Sequence, residues 1–362
     1  MLDPHNVNLG ARESGASVLR IDALADPRWS DLVEQRGAGL FHSREWLGAL
    51  VDTYGFRPEA LVLVDGHGKP LGGLPFCQIA DLFGERLVSL PFSDYCDPAI
   101  ASPQHWQLLF DAVVALGLPA KFAWRDELPI AEDSRLESVG RARWQGIMVN
   151  GDVDALWFGC SASTRRAIRK SESSGVRVES LDDDRLLAEF MHLHVDLRKR
   201  KYGLLAQPRE FFESICRRFG ERNQWFPLVA CVDNRVIAVT IYLRKGDTLY
   251  YKFNASRPET LALRPNDALL WAGVRLAAQL GCRQLDLGRS DDDQPGLIRF
   301  KRQFGAFEHE IRSVRYVPPG YVDEVGPRVQ RLLGRFTKLL TDSSVPDDVT
   351  ERAGAALYRF FA

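Results

Sequence analysis

The feature that most constrains this chain is a repeated order of elements, because it fixes the plan of the whole molecule before any motif is read. In the first copy, ALVLVDGHGKPLGGLPFCQI reads as two strands about a turn at Asp65-Gly66. RLVSLPF follows as a further strand and HWQLLFDAVVALG as a helix ending at Gly117. In the second copy, PLVACVDNRVIAVTIYLRKGDTLYYKFNA gives a hairpin about Asp233-Asn234 and a strand after Gly246-Asp247, and NDALLWAGVRLAAQLG makes a helix ending at Gly281. Helical stretches precede both hairpins: FHSREWLGALVDTYG before the first, LLAEFMHLHVDLRKRKYG and PREFFESICRRFG before the second. Two mixed α/β domains in tandem are therefore expected. The break falls where strand-like GIMVN gives way to GDVDALWFGCSASTRRAIRK, which carries a helix-entry signal from Ser161 to Thr164. This places one domain at 1–155, a second at 156–318 and a helical tail at 319–362.

A length of 362 residues suits two domains, and 45% hydrophobic with 26% charged residues is the balance of a globular protein with a sizeable core. No apolar run approaches the ~18 residues of a membrane-spanning helix. The polar opening MLDPHNVNLG lacks the regions of a secretory signal, so a cytoplasmic location is expected. The six cysteines are scattered without a CxxC pair, as reduced core residues would be. His192 and His194 in MHLHVDLRKR stand two apart, on different sides of a helix, so no metal site is expected there. A net charge of -1 argues against a protein that coats nucleic acid, yet it conceals three basic groups: Arg165, Arg166, Arg169 and Lys170; the run Arg198 to Lys201; and Arg299, Lys301 and Arg302.

In the tail, Val325, Val329, Leu332, Leu333, Phe336, Leu339 and Leu340 form an apolar stripe opposite Arg328, Arg331, Arg335 and Lys338. Packing back onto the N-terminal domain is the favoured fate of that stripe, with peripheral contact at a membrane surface the alternative.

The richest single stretch is LDLGRSDDDQPGLIRFKRQFGAFEHEIRSVRYV, from Leu285 to Val317. Leu285 and Leu287 alternate with Asp286, which is thereby placed at a strand's carboxyl end on the opposite face. Between Gly296 and Gly305, Leu297, Phe300 and Phe304 share a helix face, with Lys301 beside it and partly sheltered. A sheltered ammonium near a carboxylate can stabilise developing oxyanion charge. Lys252 and Asn254 alternate with Tyr251 and Phe253 and are candidates to look into a cleft. Ser93, Asp94 and Tyr95 follow a strand at the equivalent rim of the first copy.

Neither GxGxxG after a strand, nor GxxxxGK[ST], GxSxG or HExxH is present, so dinucleotide, P-loop, serine-hydrolase and zinc-protease readings lack their parts. The order of the second copy resembles the GNAT acyltransferase fold. The glycine-rich loop that offers backbone N–H groups to coenzyme A pyrophosphate is replaced by LALRPNDALL, where Asn266 is a candidate helix cap. FHSREW, STRRAIRKSESSGV, HVDLRKRKYGLLAQPREFF, RPNDALLWAGVRLAAQLG and LDLGRS with GLIRFKRQFGA occur in the order found in FemABX-like aminoacyltransferases and the related BioF2-like acetyltransferases. The chain is similar to that group from about Phe41 to Val317.

The resemblance implies a mixed α+β fold of two tandem GNAT-like domains and transfer of an acyl group, favouring an aminoacyl group from charged tRNA, to a primary amine such as that of a cell-wall precursor. An acyl-CoA donor for polysaccharide or metabolite modification is the same-class alternative, and a non-catalytic module binding a ligand or an RNA end the different-class one. The donor is a co-substrate, and no metal or redox cofactor is implied. By the resemblance, Lys301 is catalytic with Asp286 as its orienting partner or proton acceptor. Arg198, Arg200, Tyr202, Lys252, Asn254, Asn266, Arg289, Asp94 and Tyr95 are substrate-binding candidates, the arginines because a planar fork suits phosphate.

Overall fold

A computed structural model describes residues 7–8, 15–126, 128, 130, 132–181 and 184–362. The chain forms two compact units: 1–142 with 309–332 and residue 362, and 143–308 with 333–361. It passes between them inside two strands and one helix, and again at its last residue.

The first unit runs β1 (Val7–Asn8), β2 (Ser17–Asp22), α1 (Pro27–Arg36), α2 (Arg44–Tyr54), β3 (Pro58–Val64), β4 (Pro70–Asp81), β5 (Gly84–Val88), α3 (Pro103–Ala115), β6 (Ala120–Arg125) and the start of β7 (Leu136–Met148). Its strands lie in the order β1 to β6, antiparallel except that β5 and β6 are parallel. The expected hairpin and the α3 helix are present. α2 is capped by Ser43, whose hydroxyl accepts from the Trp46 N–H, and stops at left-handed Gly55. Trp106, Phe110, Phe122 and Trp124 fill the core between α3 and the sheet.

One expectation fails here. RLVSLPF is not a single strand: β5 ends at Val88, and Leu90 and Phe92 take positive φ of 43° and 61°. The parallel pairing of β5 with β6 spans only Leu87 with Ala120 and Val88 with Lys121. Beyond it, residues 89–97 take over the edge of β6: Ser89 N–H donates to Lys121 O at 2.9 Å, Cys96 N–H to Ala123 O at 2.7 Å, and Arg125 pairs with Asp97 at 2.7 Å.

The second unit contains α4 (Val153–Gly159), α5 (Ala162–Ser173), β8 (Arg177–Ser180), α6 (Asp184–Asp196), α7 (Arg209–Gly220), β9 (Trp225–Val232), β10 (Arg235–Lys245), β11 (Thr248–Ser256), α8 (Pro265–Gln279), β12 (Gln284–Asp291) and α9 (Pro295–Arg302). The chain then returns through β13 (Phe307–Tyr316), α10 (Gly326–Leu340) and α11 (Asp347–Leu357). The strand order is β12-β11-β10-β9-β8, with β11 and β12 parallel and the others antiparallel. Asp233 and Asn234, with φ of 48° and 61°, make the two-residue turn that a right-twisted hairpin requires. Tyr242 of β10 points at α8 and donates its hydroxyl to Leu269 O at 2.9 Å, and Gly273 leaves room for that ring. Phe190, Phe211, Phe212 and Phe253 join α6 and α7 to β11 by edge-to-face ring contacts.

The tail is expected against the N-terminal domain; residues 319–332 group with the first unit, but the second helix of the tail does not. Instead α11 is fastened within the second unit: the buried Lys199 ammonium donates to Val345 O and to Asp347 Oδ1 at 2.8 Å, and Arg200 reaches the same carboxylate. Thr350 Oγ1 closes the turn by donating to Leu340 O at 2.7 Å.

His194, buried against Phe190 and Phe212 and bonded to Gln207, illustrates the cost of burying a titratable ring. Desolvation, with Gln207 opposing and Arg198 adding to it, holds its pKa at about 4. The unfolded chain binds its proton near pH ~6.5. Stability is therefore complete above that value and falls as acid brings the pH toward about 4, by roughly 3 kcal/mol from this group. Urea unfolding of wild type and His194→Asn across that interval should show the difference as a shallower acid slope in the variant.

Candidate active site

The parallel strands β11 and β12 pair from Thr248 with Gln284 to Tyr250 with Asp286, and pairing stops there although β11 continues to Ser256 and β12 to Asp291. The strands thus part in a V, with Asp286 at its vertex. The expectation that Asp286 ends its strand is corrected: it is the third of eight residues in β12, with Leu285 and Leu287 buried on either side of it. In the first unit the corresponding divergence is filled by residues 89–97. In the second, the chain after β11 leads at once into the 3-10 turn Pro258–Leu263 and α8. That contrast makes the second divergence the candidate site.

One arm of the V carries a β-bulge. Ile241 opposes Phe253 while Tyr242 opposes Tyr251, so Lys252 is the extra residue. The simple alternation read for residues 251–254 is therefore broken. Phe253 enters the phenylalanine cluster, whereas Tyr251 packs on Tyr242 and Asn254 donates to Thr240 Oγ1 at 2.9 Å. Asn254 also meets Asn266 at 3.3 Å, and Asn266 donates to Ser256 Oγ at 3.2 Å. Asn266 is thus joined to the bulged strand and does not cap α8; the cap position is left-handed Arg264, followed by Pro265. Burial pushes the Tyr251 hydroxyl far above its ordinary value, with Thr240 pulling it back, so it is a neutral donor.

The other arm is a kinked backbone held by buried polar groups. Gly288 takes φ of 69°, which a Cβ would strain. Its N–H donates to Asp286 Oδ1 at 2.6 Å, and its carbonyl accepts from the Lys301 ammonium at 3.1 Å. Lys301 is fully buried rather than partly sheltered, at 3% exposure, and also donates to Arg289 O at 3.0 Å and Ser290 Oγ at 2.7 Å. Ser290 passes the network on to Gln145 Oε1 at 3.1 Å, and the Gln145 amide donates to Ile298 O and to Glu308 at 2.7 Å. Burial of the Glu308 carboxyl is outweighed by Arg302, Arg143 and Gln145, which hold it below the usual carboxylate range. Sequence reasoning paired Lys301 with Asp286 but missed Gly288, which both engage, as well as Ser290 and Gln145, and it missed Ile298 as a buried residue of α9.

The remaining candidates are dispersed. Arg198 donates to Leu205 O at 3.1 Å, Arg200 is paired with Asp196 and Asp347, and Tyr202 is exposed beneath the Lys201 ammonium. Lys199 and Arg200 of the basic run therefore serve the fastening of α11. Arg289 pairs with Asp291 at 2.7 Å. Asp94 and Tyr95 belong to the first unit, and Tyr95 is not at a rim: it is buried against Phe41 and under the Arg125 guanidinium at 4.6 Å.

Residues 160–302 match the acetyltransferase (GNAT) domain family. No functionally curated protein matches the chain in sequence. Among solved structures, FemX is 12% identical over 85% of this chain and 98% of its own, with a TM-score of 0.60. L-PGS from Bacillus licheniformis is 12% identical over 88% of this chain and 99% of its own, with a TM-score of 0.52. A tandem GNAT protein of clavulanic acid biosynthesis is 12% identical over 85% and 100%, with a TM-score of 0.53. The family match thus lies within the second unit, and the likeness to these structures over most of the chain is one of fold.

The geometry separates two effects of Lys301. Lys301→Met leaves three buried acceptors without their cationic donor, and should lower the free energy of unfolding by about 3 kcal/mol in urea titrations. Gly288→Ala places a side chain at a positive φ of 69° and should lower it by at least roughly 1–2 kcal/mol, while moving the end of β12 enough to reduce turnover.

Proposed function

We propose that the second unit transfers an aminoacyl group from charged tRNA to a primary amine, with the acyl end of the donor in the divergence of β11 and β12. The observation that carries this reading is the start of α8. A coenzyme A donor lays its pyrophosphate on amide N–H groups at a helix N-terminus. Here Pro265 has no N–H to give, Arg264 occupies the left-handed position where a glycine would let the backbone approach, and Asp267 sets a largely buried carboxyl in the first turn. Burial pushes that carboxyl above its ordinary value and Arg264 draws it back. A carboxyl in that place opposes a pyrophosphate. A tRNA acceptor end, by contrast, ends in an adenosine and asks for no pyrophosphate cradle.

Support also comes from α5, which packs beside α8 and exposes Arg166, Arg169 and Lys170. A cluster of that kind suits the phosphates of a nucleic-acid strand. In the reaction, the acceptor amine attacks the ester carbonyl, a C–N bond forms, the ester C–O bond breaks, and the ribose hydroxyl leaves with the proton shed by nitrogen. Negative charge gathers on the carbonyl oxygen in the transition state. Lys301 lies behind the Gly288–Ser290 backbone, so it favours that charge through the oriented peptide groups it holds, as a positioning residue. Asp286 fixes the same turn from the other side. Lys252 and Asn254 flank the donor from the bulge, and the acceptor is a small amine-bearing molecule such as a cell-wall precursor.

The test is release of label from a pool of charged tRNAs by the purified protein with candidate amines. Amide product from tRNA is expected, with an Arg166→Glu, Arg169→Glu variant weakened about tenfold and the wild type falling steeply with salt. Amide product from acetyl-CoA instead, with tRNA left intact, would assign the acyl-CoA donor and reject this reading.

A further inference from the structure

Helix α10 carries an apolar stripe that the fold does not cover. At about 100° per residue, Leu332, Phe336 and Leu339 lie on one side of the helix, and Val325 stands just before its start. The three are 51%, 44% and 66% exposed, and Val325 is 53% exposed. The face that is docked lies about a quarter-turn round, where Leu333 and Thr337 are buried at 5% and 7%. The stripe is therefore distinct from the packing face, and the expectation that one apolar face would dock the tail accounts for only part of it. On the other flank stand Arg328, Arg331, Arg335 and Lys338, and Gly326–Leu340 contains no Asp or Glu.

From this juxtaposition we propose that α10 seats on the surface of an anionic lipid bilayer, its apolar stripe lying among the acyl chains and its basic flank against the headgroups. The helix has 15 residues, long enough to lie along an interface and too short to cross one. No helix among the described residues is long and apolar enough for a span. Two residues decide the depth: Phe336 and Leu339 stand farthest along the stripe, and the long Arg and Lys stems beside them can reach back to the headgroup level. Charge selects the occupant. Two copies of a helix with four cations and no carboxylate between Gly326 and Leu340 would set like charges against each other across a shared seam, which disfavours a homodimer through this face. Headgroups of phosphatidylglycerol present the complementary sign, at about fivefold in affinity per basic residue close to the surface. Thr350, which ties α11 to Leu340 O, fixes the end of the helix to the body, so seating α10 would hold the whole molecule at the interface. This rests on α10 alone and not on the reaction proposed for β11 and β12.

The full-length protein would be floated with phosphatidylcholine vesicles and with vesicles containing phosphatidylglycerol in addition, at low and high salt. Partition onto the anionic vesicles is expected, weakened by salt, reduced at least tenfold in Leu332→Ser, Phe336→Ser, and reduced in Arg331→Gln, Arg335→Gln, Lys338→Gln. These positions leave Leu333 and Thr337 untouched, and unchanged circular dichroism and melting would show that the variants fold. Absence of binding to anionic vesicles at low salt, equal binding to neutral ones, or binding unaltered in the Leu332, Phe336 variant would each overturn the proposal. A concentration-dependent dimer in light scattering that the same variant abolishes would assign the stripe to a second copy instead.

Discussion

The candidate site depends on a cation buried where there is little water to share its charge. Two carbonyls and a hydroxyl of β12 turn toward Lys301 inside the second unit, and Gly288 admits the left-handed backbone on which they do so. The requirement runs in both directions. Removing the ammonium leaves acceptors stranded, and straightening the strand leaves the ammonium stranded. The ladder with β11 stops at Asp286, and the charge is satisfied on the part of β12 that lies beyond it.

The two copies answer the same geometric problem differently. Both have a parallel strand pair that stops after two or three residues. In the first, residues 89–97 occupy the vacated edge and Arg125 clamps them through Asp97, so the divergence becomes core. In the second, the chain leaves directly for α8. The two frames are similar, and a few residues after one strand, which fill the divergence in the first, set them apart.

Much of the frame was legible because it is written locally. Gly55, Gly117 and Gly281 end helices by taking positive φ, Ser43 and Ser161 cap them, and Asp233-Asn234 turns a hairpin by itself. Lys301 and Asp286 were found for the same reason, both lying in one continuous stretch. The rest of the site depends on groups that are distant in sequence. Gln145 reaches Ile298 O from 153 positions away, with nothing around it to mark it. Lys199 in the middle of a basic run reads like its neighbours, yet it alone is buried, because the partner that explains it is Asp347. Leu90 and Phe92 continue an apolar strand in sequence, and only the need to cross to β6 puts them in a left-handed turn.

The bulge at Lys252 was illegible because a single inserted residue does not disturb the look of an alternating sequence, but it ties two parts of the molecule to one count of residues. Phe253 belongs to the phenylalanine cluster and Asn254 to the polar set with Thr240 and Asn266. Loss of one residue here would exchange the roles of both. The interior packing and the lining of the cleft are therefore inherited as one unit: drift along this strand can change what a side chain is, but not where in the count it falls.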